Sequence, residues 1–166
     1  MSDKKDGESD REYVARVFDE TVSANCNNDD TPEERNVVVQ LTDGSKISCI
    51  LIIPRNRSWK LSLSGDGIGT TEVEADDYFN ALLILRTQLE ATGHRLLCNG
   101  ARRNVWPSGM SRSMGGGRKA YVMRMGQPTH GDDLVDIFDY AEPDLIVSVQ
   151  EQKEFFDKWI DQFSRS

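Results

Sequence analysis

The densest run of chemistry-bearing side chains lies between residues 99 and 121, N-G-A-R-R-N-V-W-P-S-G-M-S-R-S-M-G-G-G-R-K-A-Y. Gly115-Gly116-Gly117-Arg118-Lys119-Ala120 fits G-x-G-x-x-A, the loop that cradles a pyrophosphate where a strand meets a helix N-terminus. Its neighbours are wrong for that role. Polar Met-Ser-Arg-Ser-Met precedes the glycines, and the residues after them alternate like a strand. Lys119 is followed by Ala120, whereas a phosphate-binding P-loop needs Ser or Thr there. Ser108, in Trp106-Pro107-Ser108-Gly109, lacks the first glycine of a nucleophile elbow. A serine nucleophile also needs a base, and both histidines, His94 and His130, read as surface or turn residues. Pro107-Ser108-Gly109 reads instead as a tight turn, and the triple glycine as a place where two chain segments approach closely. No catalytic residue and no cofactor is expected.

Acid pairs and cysteines lead to the same place. Asp76-Asp77 and Asp132-Asp133 sit where caps and turns belong, and adjacent residues on a strand face opposite ways. Cys26, Cys49 and Cys98 are odd in number and far apart, which suits neither a disulfide framework nor a zinc site. Cys49 and Cys98, in apolar surroundings, read as buried thiols of a reducing compartment, so a cytoplasmic location and no metal are expected.

Charge is sharply partitioned. The 166 residues carry 20 Lys and Arg against 28 Asp and Glu, a net charge of −8. Residues 1–35 hold 11 acids and 5 bases, and residues 132–161 hold 10 acids and 2 bases. Between them, residues 94–125 hold seven bases and no acid. Such a stretch either attracts anions or packs beside the acidic segments and is neutralised internally. In the first case Arg102, Arg103, Ser108, Arg112, Gly116, Arg118 and Lys119 form a phosphate- or RNA-binding surface, with Trp106 and Tyr121 available for stacking. The overall negative charge opposes a polyanion.

The elements that must position these groups are readable from periodicity. The longest apolar run, Ile50 to Ile53, is far shorter than the roughly 20 residues of a membrane span, and the first 25 residues hold no apolar stretch typical of a signal peptide. Ser9-Asp10-Arg11-Glu12 matches a capping box ahead of a short amphipathic helix over about 10–24. Residues 1–30 are therefore expected as a short helix or an arm, and residues 31–166 as one domain. Strands Asn36–Leu41 and Lys46–Ile53 flank Asp43-Gly44, a hairpin signal. The continuous Ile50–Ile53 run predicts a central strand covered on both faces. Trp59, Leu61 and Leu63 alternate, and a short strand follows around Thr70–Val73.

Tyr78, Leu82, Leu85 and Leu89 mark a helix over 76–92, with Gly93 as its left-handed stop. Strands are expected at Arg95–Cys98, Lys119–Met125 and Leu134–Phe138, with 99–118 a long Gly/Ser/Arg segment that binds something or folds on itself. Ser148-Val149-Gln150-Glu151 is a second capping box, opening a helix whose apolar face is Phe155, Phe156, Trp159 and Phe163. The sum is an α+β fold: a mostly antiparallel sheet built on a β-meander, a long helix across it, further strands and a C-terminal helix.

The run G-A-R-R-N-V-W-P-S-G-M…M-G-G-G-R-K-A-Y, with D-L-V-D-I-F-D after it, resembles a group of short bacterial proteins, some of them encoded in toxin–immunity neighbourhoods. The similar stretch covers roughly residues 75–140 and transfers no functional residue. The resemblance implies a small cytoplasmic protein that neutralises a secreted toxin domain, and the acidic composition suits a basic one. An acidic surface suits that role, because complementary charge speeds encounter and disfavours wrong partners. The binding residues would then be Asp132, Asp133 and Asp136, or Glu151, Glu154, Asp157 and Asp161 on the last helix.

Overall fold

A computed structural model describes residues 31–164. The capping box at Ser9–Glu12, the helix over 10–24 and Cys26 lie outside the described residues. The chain opens with a meander: β1 (Glu33–Gln40), β2 (Lys46–Ile53), β3 (Lys60–Gly65) and β4 (Gly69–Glu74). After helix α1 (Tyr78–Ala91), the short strand β5 (Arg95–Leu96) pairs antiparallel with β1, giving the order β4-β3-β2-β1-β5. A second antiparallel sheet has the order β6-β7-β8, from β6 (Val105–Trp106), β7 (Lys119–Val122) and β8 (Leu134–Asp136). Helices α2 (Gly109–Gly115) and α3 (Val149–Ser164) complete an α+β architecture.

α1 leaves one edge of the large sheet and delivers the chain to the other. Fourteen residues at about 1.5 Å each span about 21 Å, close to the roughly 19 Å across four strand gaps of about 4.8 Å. Asp77 starts it: the carboxylate accepts the Asn80 N–H at 2.7 Å, as the cap reading expects. Gly93 ends it at φ +79°, a conformation that disfavours any Cβ. Phe79, Leu82, Leu85 and Leu89 are buried on α1 against Cys49, Leu51, Ile53, Leu61 and Leu63 of the sheet. Burying each large apolar side chain is worth roughly 1.5–3 kcal/mol, so this layer holds most of the core. Cys49 and Cys98 are both buried free thiols, and burial pushes Cys98 up to about 11.

Two expectations need correction. β2 is central in the sheet but is covered on one face only. Cys49, Leu51 and Ile53 point inward, while Ile50 is 45% exposed. The apolar run concealed an ordinary period of two, because α1 packs against a single face. Residues 99–118 take the second of their two readings and fold on themselves. They form a 3-10 turn at Asn99–Ala101, strand β6 and helix α2. Pro107-Ser108-Gly109 is thus a helix start rather than a tight turn, with the Ser108 hydroxyl accepting the Ser111 N–H at 3.0 Å.

α3 is tied down by a polar knot. Arg86 of α1 is 2% exposed and Gln152 of α3 fully buried. The Arg86 guanidinium donates to the Gln152 side-chain carbonyl, to Val147 O at 2.7 Å and to Gly100 O at 3.3 Å. Gln152 Nε2 in turn donates to Gly100 O at 2.9 Å and Val105 O at 2.7 Å. One turn along α1, Glu90 accepts the Val149 N–H at 3.1 Å at the start of α3. The capping box is formed as read: Ser148 Oγ accepts the Glu151 N–H at 3.1 Å, and the Glu151 carboxylate accepts the Ser148 N–H at 3.0 Å. Hydrogen bonds to charged groups contribute about 1.5–3 kcal/mol. Urea denaturation should therefore show Gln152→Leu and Arg86→Met each losing about 2–3 kcal/mol. The double variant should lose at least 1 kcal/mol less than the two losses added together, since the pair is coupled.

Candidate functional site

The basic segment is largely consumed within the fold. Arg118 forms a bidentate pair with Glu33 at 2.7 and 2.8 Å and a third contact to Asp136 at 3.1 Å. Arg35 joins the same cluster, reaching Asp136 at 3.3 Å and Asp139 at 3.0 Å. Arg112 bonds Asp77 at 3.1 Å and Asn80 at 3.0 Å while lying 4.9 Å from the Phe79 ring centroid. Arg124 pairs with Asp133 at 2.7 Å, and Lys119 stands 3.8 Å from Asp136. Arg95 donates to the backbone carbonyls of Pro143, at 2.9 Å, and Ile146. Arg102 holds Asn99 by a long contact of 3.4 Å, and Arg103 is exposed.

Of the residues read as an anion surface, Arg112, Arg118 and Lys119 are thus already paired with carboxylates of this chain. Ser108 caps α2. Gly116 has φ +66°, and a Cβ there would stand 2.3 Å from the Trp59 ring, so the glycine allows the close approach expected of the triplet. The glycines end a helix and enter β7, the reverse of a pyrophosphate loop.

The acidic candidates divide. Asp136 is 9% exposed and committed to Arg35, Arg118 and the Phe138 N–H, so it is an internal ion-pair residue and not a contact for a partner. Asp133 closes the turn from His130, accepting its N–H at 2.9 Å. Asp132 is exposed, as are Glu151, Glu154, Asp157 and Asp161 along the outer side of α3. That side also carries Lys153 and Lys158, leaving an excess of two negative charges.

Beside this helix lies a groove that sequence reasoning missed. Trp106, Tyr121, Met123, Phe156, Trp159 and Ile160 line it, and Ser108 and Gly109 close the end toward α2. Its volume is about 260 Å³. Trp106 and Phe156 stack with centroids 4.7 Å apart, and the Trp159 indole N–H is held by the carbonyls of Arg124 at 3.0 Å and Gln127 at 3.2 Å. β6 pairing with β7 sets Trp106 opposite Tyr121, and Gln152 docking places Phe156 one turn later against Trp106. The signal available in sequence was the aromatic face of α3 together with Trp106 and Tyr121, but those residues are spread over more than 50 positions. Among the described residues, no cluster of three or more His, Cys, Asp or Glu is placed to hold a metal ion, and no helix is long and apolar enough to cross a membrane.

Compared with known proteins, the chain matches no family model, and a search of curated proteins finds no significant relative.

The Arg118 hydrogen bonds hold the Glu33 carboxyl below its ordinary 4.5, against an opposing push from burial. A carboxylate whose pKa is depressed by folding stabilises the fold above its unfolded value, and that stability disappears as pH falls through the folded value. Stability measured by urea denaturation should therefore drop as pH is lowered below 4.5, and Glu33→Gln should flatten that part of the profile while lowering stability at pH 7.

Proposed function

We propose that this chain is a non-catalytic, protein-binding protein that captures a basic partner on the acidic side of α3. Its nearest functional class is an immunity protein that neutralises a toxin domain in the bacterial cytoplasm. The observation that carries the reading is the direction in which charge points. The cations of Arg112, Arg118 and Arg124 are turned onto carboxylates within the fold, while Glu151, Glu154, Asp157 and Asp161 stand outward on one helix. The exposed residues of α3 beside the groove carry an excess of two negative charges, which favours encounter with a basic surface and disfavours a polyanion. Isolated surface ion pairs contribute only about 0–1 kcal/mol, so affinity has to come from several charges acting with an apolar contact. The segment likeness to proteins from toxin–immunity neighbourhoods supports the same class.

An RNA- or phosphate-binding role for Arg102, Arg103 and Lys119 is the alternative, weakened by the pairing of Arg112 and Arg118. Co-expression with the product of the adjacent gene tests the proposal. That product should be basic and toxic alone, and harmless alongside this chain. A Glu154→Lys/Asp157→Lys/Asp161→Lys triple variant should bind it at least tenfold more weakly at 50 mM salt, a difference that shrinks as salt is raised. Retention on RNA at 50 mM salt that collapses by about 10³ or more at 200 mM, with no protein bound, would overturn the proposal in favour of the alternative.

A further inference from the structure

We infer that the groove between α2 and α3 takes one large apolar side chain from a basic amphipathic segment of the partner. The inference rests on the protein-binding reading above and adds the anchor to it. Size selects the occupant. About 260 Å³ falls below the roughly 300–1,000 Å³ of small-molecule pockets and exceeds the roughly 150 Å³ cavity that holds a benzene. One phenyl or leucyl side chain with part of its backbone fits that interval; a dinucleotide does not.

The lining selects apolar chemistry. Trp106, Met123, Phe156 and Ile160 form the walls, while Tyr121 supplies a phenol with no hydrogen-bond partner among the described residues, free to meet a backbone group of the guest. Apolar surface continues out of the groove: Met110, next to Gly109 in its wall, is 72% exposed, and Ile160 is 42% exposed. Flexible methionines at a rim adapt to varied guests. Buried aromatic pockets ringed by weaker contacts are where binding energy concentrates.

The flank selects the charge. Asp157 lies one turn before Ile160 on the same side of α3, with Lys153 one turn before it, and Glu154 and Asp161 stand on the outer side, so the flank carries more carboxylates than cations. A segment seated in the groove must lay its neighbouring residues against these carboxylates, so Lys or Arg on either side of the anchor complements them.

Three synthetic 14-residue peptides test this with the full chain: a Lys-rich amphipathic peptide with a central Phe, the same peptide with Ser in place of Phe, and a Glu-for-Lys version retaining Phe. Binding is read by calorimetry and by movement of the Trp106 and Trp159 indole N–H signals in NMR. The cationic Phe peptide should bind at least tenfold more tightly than the Ser version and move both indole signals, and Ile160→Glu should abolish that difference. Ile160 is exposed, so the variant should fold, and Met110→Glu provides a second one. Equal binding of the two cationic peptides would overturn the anchor while leaving the acidic-face reading intact. If the anionic peptide binds as well as the cationic one, or neither cationic peptide binds at 50 mM salt, the acidic-face reading falls and the anchor with it. A concentration-dependent dimer dissolved by Ile160→Glu would assign the groove to a second copy and overturn the partner assignment.

Discussion

A buried guanidinium dictates how the second half of this molecule assembles. Arg86 sits in the middle of a helix whose other inward residues are apolar, and it is 2% exposed. Taking such a charge out of water costs several kcal/mol unless its donors are satisfied. The partners are a glutamine side chain, the carbonyls of Val147 and Gly100, and, as counter-charge on α1 itself, the Glu90 carboxylate at 3.6 Å. Because the first three come from α3, from the chain leading into it and from the turn after β5, the three pieces have little freedom to dock in another arrangement. Burial lowers the Arg86 pKa, and the Glu90 carboxylate opposes that shift.

The groove is a consequence of that docking. Gln152 fixes the first turn of α3, the next turn brings Phe156 onto Trp106, and the following one brings Trp159 to the turn after β7. The same placement leaves the charged side of α3 facing water. A surface that pairs an apolar slot with a flank of carboxylates thus follows from one internal polar contact, and no residue of the slot has a positive φ.

Much of the fold was legible because its elements obey clear periodicities. The Asp43-Gly44 hairpin, the α1 stripe of Tyr78, Leu82, Leu85 and Leu89, and the Ser148–Glu151 capping box all carry local signals, and all form as read. α2 was missed because seven residues rich in Ser, Met and Gly show no amphipathic stripe; the Ser108 cap and left-handed Gly116 were the available clue. The one-sided burial of β2 was missed because Ile50 and Ile52 look like core residues wherever they point. The site was less legible still. Arg86 and Gln152 are polar residues at core positions 66 apart, and nothing local distinguishes either from a surface residue. Asp136 reads in sequence like the exposed acids beside it, whereas it is paired with Arg35 of β1 and with the Glu33-bound Arg118 just ahead of β7.

Hydrogen–deuterium exchange on Gln152→Leu tests the dependence of α3 on the buried knot most directly. The amides of α3 should lose more protection than those of β1 to β4, whose loss should not exceed the overall destabilisation of about 2–3 kcal/mol, and the Trp106–Phe156 stack should loosen. Unchanged protection along α3, or an equal loss across the meander, would contradict the claim that this contact is what docks the helix and forms the groove.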